Sequence, residues 1–146
     1  MPPGPAGSRM KLAGCVMLNR VTDRTEVAAA FAALRAVYDA KAWDQLADHF
    51  TSDCVFTNPF RTVRGREALR EFASGWPDID NVITWNALDG DRVVTRWTER
   101  PPGGSGRSSY TGMSTWVYGG DGLFRSYEAV FDTAAFHAAW SANEPE

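Results

Sequence analysis

Four segments in the second half of the chain limit its fold most strongly. Ile79 to Ala87 is β-branched and aromatic, and Asp91 to Glu99 continues in the same style with Val93, Val94, Thr95 and Trp97. Asp89-Gly90 separates the two as a hairpin signal. Tyr110 to Tyr118 and Leu123 to Asp132 flank a second such turn, Gly119-Gly120-Asp121-Gly122. The linker between the hairpins, Arg100 to Ser108, holds two prolines and three glycines and is expected to be flexible.

The first half supplies helices to cover such a sheet. Asp23 followed by Glu26 resembles a capping box, and Val27, Phe31, Leu34 and Tyr38 recur at helical spacing, predicting a helix to about Lys41. Trp43, Leu46 and Phe50 repeat that period in a short second helix, closed by Thr51-Ser52-Asp53. Cys54 to Asn58 reads as a short strand that Pro59 stops. After an arginine-rich loop, Gly65 precedes a third helix with Ala68, Leu69, Phe72 and Trp76 on one face, broken at Trp76-Pro77-Asp78. A last short helix from about Thr133 places Phe136 and Trp140 together. The order predicts an α+β domain with helices packed on one antiparallel sheet.

A chain of 146 residues forms about one domain. We assign it to residues 23–142, with a flexible leader over 1–22 and a tail over 143–146. The aromatic residues, 6 Trp, 4 Tyr and 8 Phe, are numerous for such a domain and imply a large core or a core plus an apolar cavity. The net charge of -3 argues against a nucleic-acid partner. The longest apolar run, Val27 to Leu34, is far below the ~18 residues of a membrane span. Cys15 and Cys54 with His49 and His137 form no metal-ligand spacing and no disulfide framework, so we expect no metal, no cofactor, and free thiols in the cytoplasm. Leu12-Ala13-Gly14-Cys15 looks like a lipoprotein cleavage box, but Met1 to Lys11 has three prolines and no apolar region for export.

This order of elements, together with Asp53 to Leu69 (DCVFTNPFRTVRGREAL) and the closing GDGLFRSYEAVFD, resembles the nuclear transport factor 2-like superfamily, and within it the SnoaL-like branch. The resemblance implies a curved sheet and helices forming a cone around an apolar pocket, with dimerisation through the sheet. The superfamily includes polyketide cyclases, ketosteroid isomerase, scytalone dehydratase, limonene epoxide hydrolase and non-catalytic binding proteins, so fold leaves function open. Three of its active sites are incomplete here. Asn58 stands where ketosteroid isomerase needs a carboxylate base, and Leu34 and Ser114 replace its oxyanion donors. Tyr38 and Asp39 match the tyrosine and aspartate of scytalone dehydratase, but its two histidines have no counterpart. Of the limonene epoxide hydrolase set, Asn58 and Arg96 match, while Phe56, Thr98 and Ala129 replace its tyrosine and two aspartates.

Strand alternation selects the remaining candidates. Val93, Thr95, Trp97 and Glu99 form the more apolar set and are expected to face inward, where burial would raise the Glu99 pKa and suit it to acid or base work. On the last strand the motif comparison puts Arg125, Tyr127 and Ala129 on the pocket side. The expected catalytic set is Asn58, Glu99, Tyr127 and Arg96. Tyr38, Phe56, Phe72, Trp76, Trp97, Ser114 and Trp116 are expected to bind a flat or polycyclic hydrophobic ligand. Arg61, Arg64, Arg66 and Arg70, interleaved with Glu67 and Glu71, read as a solvated face. Gly103-Gly104-Ser105-Gly106 lacks the helix and lysine of a phosphate loop. The functional expectation is a homodimeric, cofactor-free cyclase, isomerase or hydrolase of secondary metabolism, including an epoxide-hydrolase-like enzyme with a rearranged polar set. The alternatives are a non-catalytic ligand carrier or accessory subunit, and a structural dimerisation module if the pocket is filled by its own side chains.

Overall fold

The first helix, α1, spans residues 24–40 of a computed structural model that describes residues 24–102 and 108–142. The leader with Cys15, the Asp23 cap, Gly103 to Gly106 and the tail lie outside the described residues. Val27, Phe31, Leu34 and Tyr38 are all buried along one face of α1, as their spacing predicts. The helix ends on Lys41, whose φ of 53° lies in the left-handed region. Lys41 N donates to Tyr38 O at 3.1 Å and Ala42 N to Val37 O at 3.0 Å, closing the end as a Schellman motif. An ion pair from Lys41 Nζ to Asp80 at 2.7 Å holds that reversal against the sheet.

The expected second helix is a 3-10 helix over Trp43–His49, in keeping with its shortness. The chain then enters β1, Phe50–Asn58, so Thr51-Ser52-Asp53 does not form a turn. These turn-prone residues occupy an irregular stretch, because the pairing of β1 with its neighbour shifts register between Phe50 and Val55. The arginine-rich loop contains a strand, β2, Arg61–Arg64, paired antiparallel with β1 through a turn at Pro59-Phe60. α2 covers Arg66–Ser74 and buries Leu69 and Ala73. Gly65 precedes it at a φ of 94°, a conformation that glycine adopts without steric cost. Two hairpins follow as expected: β3 (Asp80–Asp89) with β4 (Arg92–Arg100), and β5 (Tyr110–Gly120) with β6 (Leu123–Phe131). α3, Thr133–Ala142, closes the described chain.

The six strands form one curved sheet in the order β2-β1-β6-β5-β4-β3. It is mixed rather than wholly antiparallel, because β1 runs parallel to β6. Hairpin signals act locally and cannot report this pairing, which joins segments some 70 residues apart. With its three α-helices, this is an α+β cone. Cross-strand register lays the inner face out in rows. Val93, Trp116, Tyr127, Phe56 and Val63 form one row, and Thr95, Ser114 and Ala129 the next. Trp97, Gly112 and Phe131 then lie abreast, and Asn81, Glu99 and Tyr110 form the row nearest the strand ends.

Gly112 has a steric task in this arrangement. A Cβ there would meet the Trp97 ring at 2.4 Å and the Val130 carbonyl at 2.8 Å. Gly112→Ala is expected to destabilise the fold by roughly 1–3 kcal/mol through overpacking. Gly75→Ala, where the nearest atom would be 3.9 Å away, serves as a near-neutral control. Urea denaturation followed by tryptophan fluorescence measures both.

Candidate functional site

The rows enclose a cavity of about 370 Å³ beneath α1 and α3. Its walls are aromatic: Tyr38 from α1, Phe56 from β1, Phe72 and Trp76 from α2 and its exit, Trp97, Tyr110 and Tyr127 from the sheet, and Phe136 and Trp140 from α3. Edge-to-face and tilted contacts hold these rings, such as Phe56 with Phe72 at 6.2 Å and Tyr110 with Phe136 at 5.2 Å. Phe56 stacks on Tyr127 at 4.2 Å between centroids. Trp97 and Tyr127 line the space without filling it.

Two hydrogen-bonded chains reach the cavity. The first ends on Glu99. Its Oε1 accepts a short hydrogen bond from the Tyr110 hydroxyl, and its Oε2 accepts one from Asn81 Nδ2 at 2.8 Å. The Asn81 amide is oriented by Arg35 of α1, which donates to Asn81 Oδ1 at 2.8 Å and to the Asn81 carbonyl at 2.9 Å. Arg35 lies 4.6 Å from the centre of the Tyr38 ring. Burial pushes the Glu99 pKa up, while the hydrogen bonds from Tyr110 and Asn81 and the charge of Arg35 pull it back. Burial lowers the Arg35 pKa, yet a guanidinium remains charged in such a setting.

The second chain ends on Tyr127. Trp97 Nε1 donates to Ser114 Oγ at 2.7 Å, and Ser114 Oγ donates to the Tyr127 hydroxyl at 3.0 Å. With its oxygen accepting from Ser114, Tyr127 keeps its own proton for a partner in the cavity. Burial raises the pKa values of Tyr38, Tyr110 and Tyr127, so all three are neutral hydroxyl donors near pH 7. The Trp140 indole N–H, buried in the same wall, has no hydrogen-bond partner of normal geometry.

The expected site residues divide accordingly. Glu99, Tyr127, Tyr38, Phe56, Phe72, Trp76, Trp97 and Asn58 line the cavity together. Asn58 is occupied otherwise, since its Oδ1 accepts from Phe60 N at 2.8 Å and Arg61 N at 3.1 Å and so builds the β1–β2 turn. Arg96 is exposed on the outer face of β4 and does not belong to the site, because it alternates with the inward Thr95 and Trp97. Ser114 lies behind the cavity wall, acting through Tyr127, and Trp116 is buried in the core against Phe31 at 5.7 Å. Arg125 is also outward, beside Asp91, because pairing shifts between Val117 and Gly120 break the simple alternation before Tyr127. Sequence reasoning missed Arg35, Asn81 and Tyr110. The last two stand directly opposite Glu99 in the strand register, a relation that exists only once the hairpins are aligned. Among the described residues no three His, Cys, Asp or Glu side chains gather as a metal site.

A curved mixed sheet wrapped by helices around an aromatic cavity defines a nuclear transport factor 2-like protein. The chain belongs to the SnoaL-like domain family, whose model matches residues 20–127. Solved structures agree in fold. An epoxide hydrolase of the limonene type from M. tuberculosis superimposes with a TM-score of 0.64 at 22% identity, covering 82% of this chain and 85% of that one. TerC, crystallised with polyporic acid, gives 0.67 at 21% identity over 80% and 98% of the two chains. A nuclear transport factor 2-like protein of unknown function from Burkholderia pseudomallei gives 0.68 at 16% identity over 78% and 96%. No curated protein matches the sequence.

The raised Glu99 pKa has a thermodynamic signature. A carboxyl that holds its proton more tightly when folded contributes stability fully present below its unfolded pKa of about 4.3 and lost as pH rises through the folded value. The wild type is therefore expected to lose stability relative to Glu99→Gln as pH rises from about 4 toward neutrality. Urea denaturation of both proteins across that range tests the sign.

Proposed function

We propose that this protein binds a flat, ring-containing small molecule in its aromatic cavity and enolises it without a cofactor. The observation that carries this reading is the convergence of two differently wired groups on one apolar space, a partly buried carboxylate at Glu99 and a neutral phenol at Tyr127. A carboxylate of raised pKa is a stronger base than one in water, and a phenol poised to donate stabilises negative charge on oxygen. Glu99 takes the proton from a carbon beside a carbonyl, the C–H electron pair becomes the enolate, and the enolate oxygen accepts the Tyr127 hydrogen bond. Returning the proton to another carbon completes an isomerisation. Attack of the enolate carbon on a second carbonyl, with protonation of the new alkoxide, completes a ring closure.

The test is deuterium uptake at the α-carbons of 2-tetralone in D₂O, followed by proton NMR. The wild type is expected to accelerate exchange over buffer, Glu99→Gln to return it to background, and Tyr127→Phe to slow it by about 10²-fold. Binding of the ketone without any acceleration would leave a ligand carrier in place of an enzyme.

The outer sheet face supports a homodimer as part of the same reading. Trp85 is 52% exposed, Val130 58% and Met113 41%, and the register sets them in one outer row, with Val130 beside Met113 and Trp85 one strand further on, across Arg96. Two copies joined through this face cover these side chains. Trp85→Glu is expected to convert a dimer to monomers in sedimentation equilibrium, and a monomeric wild type would overturn the assignment.

A further inference from the structure

The four arginines around the start of α2 do not behave as one solvated face. Arg66 donates Nε to the Phe50 carbonyl at 2.8 Å, and Arg70 pairs with Asp48 at 2.9 Å and Glu67 at 3.6 Å. Arg64 is exposed and borders a groove on the outside that Arg61 and Phe72 also line, Arg61 being exposed as well. Arg61 alone of the four lines the cavity. Its guanidinium carbon lies 5.1 Å from the centre of the Phe72 ring, and Phe72 in turn meets Trp76 at 5.5 Å within the same wall. Among the described residues Arg61 has no carboxylate partner.

We infer that Arg61 is an anion subsite at the lip of the cavity, and that the ligand is an aromatic carboxylic acid whose carboxylate docks there while its rings lie against Phe72 and Trp76. The inference rests on the reading of the cavity as a ligand site and adds the charge and orientation of what enters it. A guanidinium steadied on a ring keeps its N–H fork available for two parallel hydrogen bonds to a carboxylate.

Charge placement sets the orientation. Arg61 and Glu99 are the two charged side chains of the described cavity wall. They stand on β2 and β4, with β1, β6 and β5 between them, about 19 Å apart measured along a sheet of ordinary strand spacing. A ligand carboxylate placed beside Glu99 meets a like charge in an apolar setting, whereas at Arg61 it meets its complement. The acid end is therefore held at the lip, and the rest of the ring system is directed toward Glu99 and Tyr127.

Calorimetric titration of 2-naphthoate and its neutral analogue 2-naphthamide, with tryptophan fluorescence as a second readout, tests this. The wild type is expected to bind the carboxylate about tenfold more tightly than the amide. Arg61→Gln should bring the two to parity, Arg61→Lys should keep part of the preference, and Arg64→Gln should keep all of it. Equal affinities in the wild type, or a preference that survives Arg61→Gln, would overturn the Arg61 subsite while leaving the cavity as a ligand site. Failure of both compounds to bind or to perturb the fluorescence would overturn the cavity reading and the subsite with it.

Discussion

A carboxylate in an aromatic pocket is costly unless its oxygens are hydrogen-bonded, and much of this structure is arranged around meeting that requirement at Glu99. The register of β3, β4 and β5 sets Asn81, Glu99 and Tyr110 side by side, so each carboxylate oxygen receives one donor from a neighbouring strand. Asn81 can present its N–H₂ group to Glu99 because Arg35 holds its oxygen from the opposite layer. The helix thus contributes more than cover for the sheet. Through one half-buried guanidinium, α1 determines which way an amide points and hence how the carboxylate is solvated.

The Tyr127 chain follows a similar logic with neutral groups. Trp97, Ser114 and Tyr127 occupy three successive rows of the inner face, and their hydrogen bonds run diagonally across β4, β5 and β6. The bulky indole of Trp97 can lie where it does because its row neighbour is Gly112. Packing and polarity are therefore coupled: the absence of a side chain at one position lets a donor at another serve the cavity. Behind these groups, Phe31, Trp116 and Phe124 fill the closed part of the cone and leave the space between Phe56, Phe72, Trp97 and Trp140 as cavity.

Parts of this arrangement were legible in the chain itself. The apolar period of α1, both hairpin turns and the inward parity of Thr95, Trp97 and Glu99 follow from local rules, since each depends on residues close in sequence. β2 is hard to read along the chain, although Asn58-Pro59 is a turn signal and Arg61–Arg64 contains a single inward residue, Val63. Four residues with three polar side chains carry too little apolar pattern to announce a strand. Arg96 matched an epoxide hydrolase position in sequence and faces away from the cavity in space. Arg125 shares the parity of the inward Tyr127 along the chain but faces outward, because the irregular pairing of β6 with β5 intervenes.

Hydrophobic period, turn chemistry and composition are properties of contiguous segments, so the class of fold, the family and the aromatic character of the interior can be read along the chain. Three-dimensional packing sets β1 parallel to β6, brings Asn81 and Tyr110 to either side of Glu99, and leaves Arg61 of the arginine cluster on the cavity wall while Arg66 and Arg70 are held by other partners. Those relations join residues far apart in the chain. They depend on register, curvature and the approach of α1, which emerge when all the layers pack at once.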